Sequence, residues 1–280
     1  MTVRAVFTLG AAAAIAFAAW GSLFPFAFEP VSFSTAVTMF VAAWGRGPAG
    51  WSISDFSSNV LLFVPIGLCA LAALQTRGVS RSRAMMAVLV GSVALSALLE
   101  LAQAFIRWRT SSIVDVAAEQ VGTALGIVLW IAFGRAITTS VERACAAFNA
   151  ATLTQRILIG YCLAFAVAWL LPLDVTLRPG EIADKAFHQR LLLPFTPSPD
   201  AASLTQLAVA LLAALPIGAA VALWGSRGLR GAMRRALVFG VPGVLILELC
   251  QVFVFSRTTD GTIVLPLSAG VLAGAAFVSR

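Results

Sequence analysis

A chain of 280 residues with 60% hydrophobic and only 11% charged side chains falls well short of the roughly 25% of charged residues that cover a soluble domain. Most of its surface must face lipid, which excludes an ordinary water-soluble enzyme or binding domain. The net charge is +7 and all but one of the nineteen basic residues are arginine. They sit in short clusters between long apolar runs, the positive-inside pattern of a membrane protein, and point away from a nucleic-acid partner.

Crossing the hydrocarbon core takes about 20 apolar residues at 1.5 Å each. The first such run, 5–28, has one arginine ahead of it. It is long for a signal peptide and has no convincing small-x-small cleavage site, so it reads as a retained first helix. Seven further spans follow at 56–76, 84–106, 112–134, 157–173, 201–226, 236–256 and 261–279. The fold class is therefore all-α, a polytopic transmembrane helical bundle of about eight spans. The apolar run 31–45 is short and broken by Ser and Thr, and reads as an interfacial or re-entrant piece on the outer side.

The arginines set the expected topology. With eight spans and a cytoplasmic N-terminus, twelve basic residues fall inside, including Arg77, Arg81, Arg83, Arg230, Arg234 and Arg235. Seven fall outside: Arg46, Arg107, Arg109, Arg178, Lys185, Arg190 and Arg257. A ninth span would put the two densest clusters on opposite faces. Both termini are expected on the cytoplasmic side.

An internal repeat runs through the chain. The segment LLELAQAFIRWRTSSIVDVAAEQVGTALG (98–126) aligns with ILELCQVFVFSRTTDGTIVLPLSAGVLAG (246–274) at a constant shift of 148. Glu100 meets Glu248, Gln103 meets Gln251, Arg109 meets Arg257, and Gly122 and Gly126 meet Gly270 and Gly274. Glu and Gln occur only six and seven times in the whole chain, so their coincidence weighs more than any match of apolar residues. With small changes of shift, Pro65-Ile66-Gly67 meets Pro216-Ile217-Gly218. Two units are expected, 1–140 and 141–280, each of four spans. An even number of spans makes them parallel repeats about an axis along the membrane normal.

The residues that carry chemistry are the polar ones at membrane depth. Glu100 and Glu248 lie within apolar helices, where an ionisable group is costly and turns toward the protein interior or a wet cavity. Gln103 and Gln251 lie about one turn on, on the same face. Arg107 and Arg109 stand near the outer end, either one in reach of neutralising Glu100. Asp115 and Glu119 share one face of the fourth helix, and Asn59 opens a polar face on the second, with Pro65 expected to kink that helix. Plainer roles fit the same residues: a Glu–Gln–Arg clamp between helices, Asp115 as a helix cap, the glycines as a close-packing face. His188, beside Asp184 and Lys185, reads as an exposed outer-loop residue. Trp20, Trp44, Trp51, Trp108 and Trp169 read as interfacial anchors. The four cysteines form no CxxC motif and have no histidine neighbour, so neither a metal site nor a cofactor is expected.

Taken in order, Asn59-x3-Phe63-x-Pro65-x-Gly67, Glu100-Leu101-x-Gln103, Arg109, Asp115 and Gly122-x3-Gly126 resemble the VanZ-like family of bacterial membrane proteins. The second half is similar in Pro172-Leu173-Asp174-Val175, Leu192-Leu193-Pro194-Phe195, Glu248-Leu249-x-Gln251 and Arg257. It departs from the pattern at Ala210 in place of Asn59 and Ile263 in place of Asp115, and Asp260 lies three residues too early. In the first half, Glu119 stands where the family usually has Asn. The resemblance implies a cell-envelope protein of the type linked to low-level teicoplanin resistance, with the first half the better candidate for a site. Its partners would be membrane lipid and a lipid-linked or glycopeptide ligand at the outer face. The ligand residues would come from Asn59, Glu100, Gln103, Arg109, Asp115, Glu119, Glu248, Gln251 and Arg257. Two other classes stay open. One is an enzyme on a polyprenyl phosphate, with Arg109 on phosphate and Glu100 or Asp115 as acid or base. The other is a transporter, suggested by parallel repeats and intramembrane acids. No Walker motif, nucleophile elbow, HExxH or dinucleotide fingerprint is present.

Overall fold

A computed structural model of the chain describes residues 1–45, 53–107, 109–171, 176–196, 203–224 and 228–279. The motif Pro172-Leu173-Asp174-Val175, the anchors Trp51 and Trp108, and Arg46, Arg227 and Arg280 lie outside the described residues. The chain divides into two compact units, Met1–Asn149 and Ala150–Arg280. Among the described residues eight helices are long and apolar enough to cross a membrane.

In the first unit these are α1 (Val3–Leu23), α3 (Ile53–Gln75), α4 (Arg81–Gln103) and α5 (Ile113–Ala150), with the short helix α2 (Phe33–Gly45) in the segment expected to be interfacial or re-entrant. Thr2 starts α1 by accepting the Ala5 N–H on its hydroxyl. Phe7 near the start of α1 shares one buried cluster with Leu71 near the end of α3, while Ala18 shares another with Phe63. The two helices therefore run antiparallel. Pro65 lies inside α3 without ending it.

Close contact between α3 and α5 depends on three glycines. A Cβ on Gly122 would overlap the Val60 carbonyl oxygen, one on Gly126 that of Val64, and one on Gly67 that of Thr123. Where lipid offers no hydrophobic driving force between helices, such backbone approach maximises dispersion contact. The structure extends α5 well beyond the expected end at 134: at 38 residues it is about 57 Å long against a hydrocarbon core of about 30 Å. Its continuation carries Arg135, Glu142 and Arg143, all of which a helix accommodates readily.

The second unit holds α6 (Leu153–Leu170), the short α7 (Pro179–Phe187), α8 (Leu204–Leu223), a long span Leu229–Phe253 and α11 (Val264–Val278). The long span begins seven residues before the expected position 236. It contains α9 (Leu229–Arg235), a π-helical turn (Ala236–Gly240), α10 (Val241–Cys250) and a 3-10 turn (Gln251–Phe253). The π turn immediately precedes Pro242, whose missing N–H and bulky ring disturb the regular ladder, and the Val241 N–H reaches back to Ala236 instead. Glycines again bring helices together. A Cβ on Gly270 would overlap the Leu211 carbonyl, on Gly274 that of Leu215, and on Gly218 that of Val271. Around this contact lies an apolar core of Ala210, Ala214, Val244, Leu267, Val271 and Ala275.

Candidate functional site

The polar residues of the first unit converge where α4 ends and α5 begins. Glu100, 1% exposed, turns its carboxylate back over the connecting loop, and Oε2 accepts the Ser112 N–H at 2.6 Å. The Ser111 hydroxyl donates to the Glu100 carbonyl at 2.7 Å, capping a last-turn carbonyl that would otherwise lack a partner. Arg109 is not the ion-pair partner expected of it. Its guanidinium donates to the carbonyls of Phe24 at 3.0 Å and Gly21 at 3.3 Å, at the negative end of the α1 dipole. Arg107 pairs instead with Glu29 at 2.6 Å, on an exposed surface. The burial cost of Glu100 is thus offset only in part by a loop N–H, with Arg109 acting at longer electrostatic range. Gln103 is buried and does not join the Glu100 carboxylate.

Deeper in the unit a second polar set lines the α3–α4–α5 junction. Asn59 on α3 is the hydrogen-bonding neighbour of the Asp115 carboxylate on α5. One turn on, Glu119 is 2% exposed; Ser96 of α4 is its hydrogen-bonding neighbour, and its Oε2 has no partner at all. Ser96 Oγ accepts from Gln120 Nε2 at 2.9 Å, and Gln120 Oε1 accepts from Ser92 at 2.7 Å. Ser92, Ser96 and Glu100 are spaced by four, so they form one stripe of α4 facing Asp115, Glu119, Gln120 and Thr123.

The second unit repeats the loop framework without the deeper set. Glu248 Oε1 accepts the Asp260 N–H at 2.9 Å, the counterpart of Glu100 and Ser112 at the shift of 148. Asp260 Oδ1 accepts the Thr262 N–H at 2.8 Å as Ser112 Oγ accepts that of Val114 at 3.2 Å. The apparent misplacement of Asp260 is explained: it stands for Ser112 and not for Asp115. Arg257 donates to the carbonyls of Leu171 at 2.6 Å and Ala168 at 3.1 Å, repeating the grip of Arg109 on α1. The Thr176 N–H donates to Phe253 at 2.8 Å as that of Glu29 donates to Phe105 at 2.7 Å. Gln251 donates to the Trp169 carbonyl, and the Trp169 indole N–H to Glu248 Oε2, so Trp169 is a partner of the acid as well as a span-end aromatic.

At the positions of Asn59, Ser96, Asp115, Glu119 and Thr123, however, the second unit carries Ala210, Val244, Ile263, Leu267 and Val271. All but Ile263 are core residues, and Ile263 packs against that core.

Two further features escape a sequence reading. Lys185, the sole lysine, is 0% exposed. Its ammonium donates to the carbonyls of Gln251 at 2.7 Å, Val254 at 2.9 Å and Val252 at 3.3 Å, capping the end of the helix that bears Glu248. The segment after it forms a two-residue parallel pairing, Leu191–Leu192 against Thr259–Asp260, and Pro194 fills the space beside Gly261. His188 is exposed and lies 3.2 Å from Asp184. Among the described residues no group of three or more His, Cys, Asp or Glu is arranged to hold a metal ion.

A family model described as VanZ/LLP1 matches residues 12–134. The match runs from the middle of α1 into α5 and takes in Asn59, Glu100, Gln103, Arg109, Asp115 and Glu119. No curated protein and no solved structure matches the chain. Residues 12–134 are thus VanZ-like, and with eight helices among the described residues long and apolar enough to cross a membrane, the chain is a multi-pass membrane protein.

Proposed function

We propose that the chain is a tandem of two VanZ-like units in the bacterial cytoplasmic membrane, both termini cytoplasmic, and that its first unit binds a lipid-linked or glycopeptide ligand at the outer face. One observation carries the reading. At matched positions the first unit has Asn59, Ser96, Asp115, Glu119 and Thr123, and the second has an apolar core. A unit that packs with Ala, Val, Ile and Leu there does not need acids and amides to fold. Groups so costly to bury are retained for what they bind.

Glu100, Glu248, Gln251, Arg109 and Arg257 are framework by the same comparison, with Arg109 also presenting an exposed cation at the mouth. Asn59, Asp115 and the unpartnered Glu119 Oε2 are acceptors for ligand hydroxyl, amide or ammonium groups, which saccharide and peptide portions supply. Arg109 suits an anionic phosphate beside them.

A second reading, an enzyme on a polyprenyl phosphate, gains from Asp115 and Glu119 standing one turn apart in unlike surroundings, one beside an amide and the other with a bare oxygen. The experiment is native mass spectrometry of the protein in nanodiscs with a polyprenyl-diphosphate disaccharide or with teicoplanin. Retention by wild type and loss in Asp115→Asn and Asn59→Ala, with both variants still folded, supports binding. Equal retention by wild type and variants overturns it. Conversion of the added substrate, lost in Glu119→Gln, would select the enzyme reading.

A further inference from the structure

A groove of about 350 Å³ runs between α1, α3 and α4 of the first unit; of the polar stripe described above it touches Ser92, and none of the acids lines it. Its walls are almost wholly apolar, with Ala11, Ile15, Ala70, Ala87 and Leu95 among them. That volume is at the small end of the ~300–1,000 Å³ typical of ligand pockets and suits part of one hydrocarbon chain. Gly91 on its wall leaves the space open, since a Cβ there would meet nothing within 4 Å.

The groove is polar at one end. Arg77 lines it, and its Nη2 donates to Thr8 Oγ1 at 3.2 Å. A threonine hydroxyl is neutral, so that bond orients the guanidinium without matching its charge. At this same end α1 begins, α3 finishes and α4 begins, which adds Arg4, Arg81 and Arg83. An apolar slot ending on an arginine, between helices long enough to span the bilayer, has the chemistry of a phospholipid site.

We propose that this groove holds one acyl chain of an anionic phospholipid, with the lipid phosphate on Arg77. The chain lies along α1, α3 and α4, and the headgroup sits in the leaflet on the Arg77 side.

The test uses the full chain in nanodiscs of mixed phosphatidylglycerol and phosphatidylcholine, followed by detergent extraction and native mass spectrometry of the lipid retained. Wild type should retain one phosphatidylglycerol in preference to phosphatidylcholine. Arg77→Gln should cut that preference about fivefold, the contribution of one arginine at an anionic lipid surface. Gly91→Phe, which fills the groove, should reduce retention of both lipids, whereas Gly91→Ala should retain them and report that the helix tolerates a side chain there. No preference in wild type, or retention unchanged in either Arg77→Gln or Gly91→Phe, overturns the proposal. So does competition by glycerol phosphate as effective as by the intact lipid, because the chain would then contribute nothing.

Discussion

Glu100 holds Ser112: a carboxylate from the last turn of α4 accepts the backbone N–H of the residue just before α5, at 2.6 Å. The acid that most resembles a functional group in the amino-acid sequence is thereby a fastening between two spans. The same fastening joins Glu248 to Asp260 in the second unit. A hydrogen bond to a charged group is worth about 1.5–3 kcal/mol. Glu100→Ala should cost about that much, and Glu100→Gln less, since an amide oxygen still accepts. Glu248→Ala should cost at least as much, because Glu248 also takes the Trp169 indole N–H. Melting in detergent measures all three, and an unchanged midpoint for Glu100→Ala would refute the fastening role.

Writing the second unit's residues into the first separates packing from function. Glu119→Leu, after Leu267, should fold and melt at or above the wild-type temperature, while Asn59→Ala, after Ala210, should fold but melt somewhat lower, since it takes the amide away from the Asp115 carboxylate. An apolar replacement of a buried, half-satisfied acid is commonly neutral or stabilising. Both should lose ligand retention. Loss of folded protein in both would mean that the polar set is structural.

The glycines divide into two groups with opposite expected effects. Gly126→Ala and Gly274→Ala drive a methyl into the backbone carbonyls of Val64 and Leu215, which cannot yield as a side-chain tip would. Each should destabilise by about 1–3 kcal/mol. Gly21→Ala and Gly160→Ala meet nothing within 4 Å and should be neutral or stabilise by up to about 1 kcal/mol through helix propensity. Thermal unfolding of the four variants in one detergent provides the comparison.

Lys185→Met keeps the aliphatic stem but leaves three carbonyls without their ammonium donor. Destabilisation of about 2–3 kcal/mol is expected from losing charge-assisted bonds in a buried place. Lys185→Gln, which can still donate, should fall between wild type and Lys185→Met by the same unfolding measurement.

Topology reporters fused after residues 80, 145 and 230 should behave as cytoplasmic, and one near 185 as extracytoplasmic. Opposite signs at 80 and 230 would overturn the even number of spans in each unit.

What the amino-acid sequence makes legible here follows from which interactions are periodic. Eight apolar runs announce eight long helices because spanning length is a property of composition alone. The glycine contacts were readable because only a missing side chain permits that approach. Charge complementarity points Arg109 to a carboxylate, whereas its partners are the carbonyls ending α1. Ser92 and Ser96 carry little signal because small polar residues are ordinary in membrane helices, although their spacing by four from Glu100 places them on its face. Lys185 reads as a solvated charge until α7 is seen placing it against the end of the helix it caps.

The length of α5 has a mechanical consequence. One end carries Asp115 and Glu119, and the far end lies at Ala150. That far end is tied down: the Asn149 side chain bonds the Met1 ammonium and carbonyl, and Ile137 and Val141 pack against the cluster around Phe7 and Leu71. One continuous helix of about 57 Å therefore joins the turn that bears the acids to the start of α1, so the two ends of the unit share a single strut.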